Sequence, residues 1–125
     1  VIPGLTDEEI PAILGAAASA GAQFAGYAVL RLPYSVKDLF VSWLEANAPE
    51  KKNKVLSRIR ALRGGRLNDS RWHLRLSGEG PYSEAIEKLF RWARESAGLP
   101  ENGTPLSVTA FRRPSVRAPL FRDDL

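Results

Sequence analysis

The sequence predicts an α/β fold: a partial parallel (β/α) barrel fragment of one βαβ unit, followed by a mostly helical C-terminal extension. Three observations lead there. Val1 and Ile2 are β-branched and stop at Pro3-Gly4. A helical pattern follows, with Ile10, Ile13, Leu14 and Ala17 at the spacing of one helix face. Phe24 to Leu32 (FAGYAVLRL) is then apolar on both faces, which suits a buried parallel strand. A strand, a crossover helix and a second parallel strand make a right-handed βαβ unit.

Each element has its own punctuation. Thr6 to Glu9 reads as a T-x-x-E capping box, and Asp7, Glu8 and Glu9 put negative charge at the positive end of a helix over about 7–20. Gly21 stands where a left-handed C′ residue would stop it. After Pro33 the pattern becomes helical again. Ser35 can cap a helix over 36–47, with Val36, Leu39, Phe40, Trp43 and Leu44 on one face. Phe40 and Trp43 read as core, because they continue that stripe. Pro49 suits the first turn of a helix over 51–63, with Val55, Leu56, Ile59 and Leu62 inward and Gly64-Gly65 at its end. The last helix, about 83–97, buries Tyr82, Ile86, Leu89, Phe90 and Ala93, and Gly98-Leu99-Pro100 gives a Schellman-type stop. Leu106 to Phe111 suits a short strand, and the tail 100–125 packs through Phe111, Leu120 and Phe121. The organisation is residues 1–34 as the βαβ end of a barrel, and 35–125 as one helical extension with a basic loop at 64–80.

Only two residues of the first strand are present, and two parallel strands do not make a stable sheet. The expectation is a C-terminal piece of a longer protein whose N-terminal barrel portion is missing. An open edge and an apolar patch then predict a homo-oligomer of the isolated fragment, by strand pairing or a swapped segment.

Composition is globular, at 44% apolar and 26% charged. The absence of cysteine excludes disulfides, thiolate zinc sites and a cysteine-ligated iron–sulfur cluster within these residues. No apolar run reaches transmembrane length and no signal peptide opens the chain, so a cytoplasmic protein without a membrane partner is expected. Residues 1–50 carry two basic and six acidic side chains, 51–75 carry nine and one, and 76–125 carry seven of each. The positive charge therefore sits in one segment, which favours a polyanion such as DNA or RNA.

No catalytic set is evident. His73 is the sole histidine, there is no GxxxxGK or GxGxxG, and neither a nucleophile triad nor a metal cage is present. Asp7, Glu8 and Glu9 are explained by the helix start. In the loop 64–80, Trp72 beside Arg71 and Arg75, with Arg66 upstream, has the aromatic and basic mix that stacks single-stranded bases. A solvated loop with Trp72 packed back on the domain is the simpler alternative.

Several stretches together carry a resemblance: Ile2-Pro3-Gly4-Leu5-Thr6-Asp7, the strand ending Leu30-Arg31-Leu32-Pro33, Val36 to Phe40, Arg63-Gly64-Gly65-Arg66-Leu67-Asn68-Asp69-Ser70-Arg71, Gly78-Glu79-Gly80-Pro81-Tyr82, and Phe111 to Pro114 before Leu120-Phe121. In this order they resemble the later barrel strands and C-terminal region of radical SAM proteins, in the group related to spore photoproduct lyase and labelled DNA repair photolyase-like. The resemblance implies a lyase-like, cytoplasmic enzyme with a partial TIM barrel. It also implies S-adenosylmethionine on an iron–sulfur (4Fe–4S) cluster held by three cysteines. Those cysteines are absent, so no cofactor is expected in this chain and it should be inert alone. Sites at the C-terminal ends of barrel strands make Gly4 a point of close backbone approach to the cofactor. Arg31 becomes a partner for its carboxylate or ribose, or for a substrate phosphate; a strand-end ion pair is the equal alternative for Arg31. Other readings are a basic nucleic-acid-binding module and a non-catalytic helical interaction domain.

Overall fold

A computed structural model describes residues 1–112. Among them there are four α-helices and no strand: a 3₁₀ turn Asp7–Glu9, then α1 (Ile10–Ser19), α2 (Val36–Asn47), α3 (Lys52–Leu62) and α4 (Pro81–Ser96). The α/β fold class, with its βαβ unit and barrel sheet, is therefore corrected to an all-helical one. The segment 24–32 is extended, as its composition dictates, but it has no ladder to join. Val1 alone lies along it: its amine donates to the Ala28 carbonyl at 2.8 Å, and the Leu30 N–H donates to the Val1 carbonyl at 2.9 Å. Ile2 turns away at once, its carbonyl taken by the N–H groups of Leu5 and Thr6. A strand needs several consecutive paired residues, and one does not make it. Nor are both faces of 24–32 covered. Val29 and Leu32 are buried, whereas Phe24, Gly26 and Ala28 are exposed.

Helices α3 and α4 follow the apolar periodicity closely. Val55, Leu56, Ile59 and Leu62 of α3 are all buried, as are Ile86, Phe90 and Ala93 of α4. Both α1 and α4 end in the Schellman pattern. Ala22 and Gly21 donate to the carbonyls of Ala17 and Ala18, and Leu99 and Gly98 to those of Arg94 and Glu95. Gly21 and Gly98 hold the left-handed C′ position with φ of +92° and +70°, and Leu99 is buried behind it.

Three local expectations are overturned. Thr6 does not cap α1; its hydroxyl accepts the Ile2 N–H at 2.8 Å, closing the Pro3-Gly4 turn on itself. The α2 stripe is only half buried. Leu44 is fully enclosed, but Val36, Leu39 and Trp43 are exposed, with Trp43 stacked on Phe40 at 6.0 Å between ring centroids. Leu106 to Phe111 is exposed and forms no strand, and Phe111 is not packed down. Arg113, Pro114, Leu120 and Phe121 lie outside the described residues.

Two apolar clusters make the core. One joins α1 and α4 over Val29 and Leu62; the other joins α2 and α3 over Leu32. No helix among the described residues is long and apolar enough to cross a membrane.

Candidate functional site

The most ordered polar chemistry lies where the Pro3-Gly4 turn, the 63–80 segment and the start of α4 meet. Asp7 is buried because the turn folds its carboxylate under the backbone, and both carboxylate oxygens accept the Gly4 N–H at 3.1 Å. The Tyr82 hydroxyl donates to the same carboxylate. The Arg58 guanidinium covers the Tyr82 ring at 4.5 Å. Burial first, and then the hydrogen bond to Asp7, push the Tyr82 hydroxyl up to about 12. Asp7 is thus a structural acceptor, not merely a charge at a helix start.

This pair has a pH signature. The raised folded-state value means that the neutral hydroxyl, not the phenolate, is favoured by folding. The contribution is complete below the ordinary tyrosine range near 10 and is lost as pH rises through about 12. Chemical denaturation at stepped alkaline pH should show stability falling across that window, and the Tyr82→Phe variant should lack this component. An unchanged pH profile in that variant would rule the linkage out.

Arg63 is the second surprise. It is 1% exposed, and its guanidinium donates to the Leu74 carbonyl and, at 3.2 Å, to the Leu30 carbonyl. Burial pushes it below the usual arginine value, partly offset by Asp69. The signal for it was present in the sequence: Val55, Leu56, Ile59, Leu62 and Arg63 continue one helical stripe, so position 63 falls on the inward face. A third cluster fixes the following loop. Asp69, itself buried, accepts from the Arg71 backbone N–H at 2.9 Å and from its guanidinium, which also reaches Glu79 at 2.8 Å. The hydrogen bonds from Arg71 hold the Asp69 carboxyl at about 2.

The residues expected to bind ligands are thereby placed. Gly4 is buried at φ +78°, and an added Cβ would lie 3.4 Å from the Arg58 Cγ and 3.5 Å from the Lys54 Cγ, so those stems lie over it. Arg31 is exposed and makes no ion pair among the described residues. Arg71 is committed to Asp69 and Glu79. Trp72 is 70% exposed, with the Arg75 guanidinium 3.7 Å above its ring. Arg66 lines a shallow groove of about 520 Å³ with Lys37, Asp38, Leu67 and Asn68. Of the nine basic residues in 51–75, six are engaged internally: Lys52 with Glu45, Lys54 with Glu8, Arg58 on Tyr82, Arg63 on carbonyls, Arg71 on carboxylates and Arg75 on Trp72. That leaves Lys51, Arg60 and Arg66 from the segment whose charge suggested a polyanion.

Comparison with protein-family models, with curated proteins and with solved structures finds no match.

No group of three His, Cys, Asp or Glu side chains that could hold a metal occurs among the described residues. The sequence has no thiol to ligate iron. These residues do not fit an iron–sulfur cluster, and no step of radical chemistry is assigned to them.

Proposed function

We propose that this chain is the C-terminal portion of a radical SAM enzyme of the group resembling spore photoproduct lyase and DNA repair photolyase-like proteins. In this reading the cluster ligands belong to residues outside this sequence, and the chain contributes a polar frame rather than the reacting centre. One observation supports the reading beyond the motifs themselves: four of the stretches that carry the resemblance are joined to one another by hydrogen bonds. The Pro3-Gly4 turn reaches Gly78–Tyr82 through Asp7 and Tyr82. The Arg63–Arg71 stretch reaches Leu30 through Arg63 and Glu79 through Arg71. Residues spread over eighty positions thus form one hydrogen-bonded unit, as expected of a motif set that serves a single frame.

The test is the reading frame on the 5′ side of the Val1 codon. It should encode three closely spaced cysteines of the CxxxCxxC type. The longer protein, reconstituted anaerobically with iron and sulfide, should show a 4Fe–4S signal by electron paramagnetic resonance and release 5′-deoxyadenosine from S-adenosylmethionine on reduction. Residues 1–125 alone should do neither. A continuous frame without such cysteines would overturn the assignment.

A further inference from the structure

In an extended segment, successive residues turn their backbone polar groups to opposite edges. In 24–32 the hydrogen bonds assign those edges. Ala28 and Leu30 pair with Val1, so even-numbered groups face the Val1 edge; the Val29 N–H donates to the Leu76 carbonyl at 2.7 Å, so odd-numbered groups face the other. Pairing on the Val1 edge stops at the Ala28 carbonyl. The Ala28 N–H and both backbone groups of Gly26 make no hydrogen bond among the described residues. Beside them lies a cavity of about 240 Å³ walled by Ile10, Ile13, Leu14 and Phe90. Apart from the Val1 amine, no charged group among the described residues lines it. The site therefore offers a short strand edge next to an uncharged apolar recess, which is the arrangement that accepts an added strand with alternate side chains in pockets.

We propose that a second copy of this chain fills this edge with its residues 106–111. That segment, Leu-Ser-Val-Thr-Ala-Phe, has the complementary chemistry. It is uncharged and rich in strand-forming residues, and Leu106, Val108 and Phe111 are 91%, 76% and 69% exposed. Among the described residues the backbone groups of Leu106 make no hydrogen bonds, and the N–H groups of Ser107 and Val108 donate to none. The chain's own segment does not occupy the recess: no residue of 106–111 lines it among the described residues. Glu101 and Asn102 stand with Ala25, Gly26 and Tyr27 around an adjoining cleft, and Thr104 sits beside Gln23. Each copy offers one edge and one strand, so a reciprocal exchange closes as a two-fold dimer.

The proposal rests on the open edge alone and is independent of the radical SAM reading, so either can fail without the other. Sedimentation velocity over a dilution series of the full chain should show a concentration-dependent dimer. The double variant L106D/V108D and the single variant I13D should each be monomeric. All three positions are exposed, and far-UV circular dichroism confirms that the fold is kept. In the dimer the Gly26 and Ala28 amide protons should exchange at least about tenfold more slowly than in the monomer. A monomer at every concentration would overturn the proposal. So would a dimer that survives either variant, or one in which those two amides exchange as fast as in the monomer.

Discussion

Replacing Arg63 with methionine should lower the unfolding free energy by about 2 kcal/mol, the cost of leaving the part-buried Leu30 carbonyl without a donor and taking one of two donors from the Leu74 carbonyl. Methionine keeps the apolar stem and its volume, so the loss reports the guanidinium itself. The Leu30 carbonyl would lose its donor and the Leu74 carbonyl would keep only the Gly78 N–H at 2.8 Å, and neither can turn to solvent without moving the extended segment or the loop. Arg63→Lys should recover only part of the loss, because a single ammonium cannot reproduce the two-pronged geometry. Urea denaturation measures this as a lower midpoint at constant slope. A loss below about 1 kcal/mol in the methionine variant would mean that water satisfies the Leu30 carbonyl and the Gly78 N–H suffices for Leu74, and the clamp would then carry little stability.

The second large effect falls on Gly78. Its φ is +83°, and a Cβ there would lie 3.0 Å from the Leu62 Cβ and 3.1 Å from the Leu62 carbonyl oxygen. Leu62 is fully buried, and that same carbonyl accepts the Glu79 N–H, so it has nowhere to give. Gly78→Ala combines the left-handed backbone cost of about 1–2 kcal/mol with overpacking of about 1–3 kcal/mol. Gly21→Ala is the control. It shares the positive φ, yet an added Cβ would find nothing within 4 Å. Thermal or urea unfolding should place the Gly78 variant well below the Gly21 variant. Equal losses would show that backbone conformation alone accounts for both.

These two positions also mark the limit of what the sequence disclosed. Helices α2, α3 and α4 were legible because their apolar residues recur at helical spacing, and their boundaries fall within a residue or two of those expected. The stops at Gly21 and Gly98 were legible because few residues other than glycine accept that backbone conformation. The strands were not. FAGYAVLRL has the composition of a strand, but a strand exists only when a neighbour supplies the ladder, and here Val1 supplies one residue of it. The capping box failed for a similar reason: the Thr6 hydroxyl had a nearer donor in Ile2. Gly4 and Arg31 were singled out on barrel geometry, and the buried polar partners Asp7, Tyr82 and Arg63 were passed over. Asp7 and Tyr82 are 75 residues apart in sequence, a separation no local pattern encodes. For Arg63 the inward position was readable from α3, but a charge on an apolar stripe is ordinarily read as that stripe's edge.

The two apolar clusters share their scaffolding. Val29 and Leu32 belong to different clusters, as do Leu62 and Ile59, although each pair lies three residues apart on one element. Arg63 sits at that seam, with its guanidinium on the backbone between Val29 and Leu32. Neither half can come apart while the other stays whole, because the extended segment and α3 would each have to be released and kept at once. The small protein therefore has no natural breaking line. It should lose its helices in one cooperative step, with the α1–α4 pair and the α2–α3 pair melting at the same temperature.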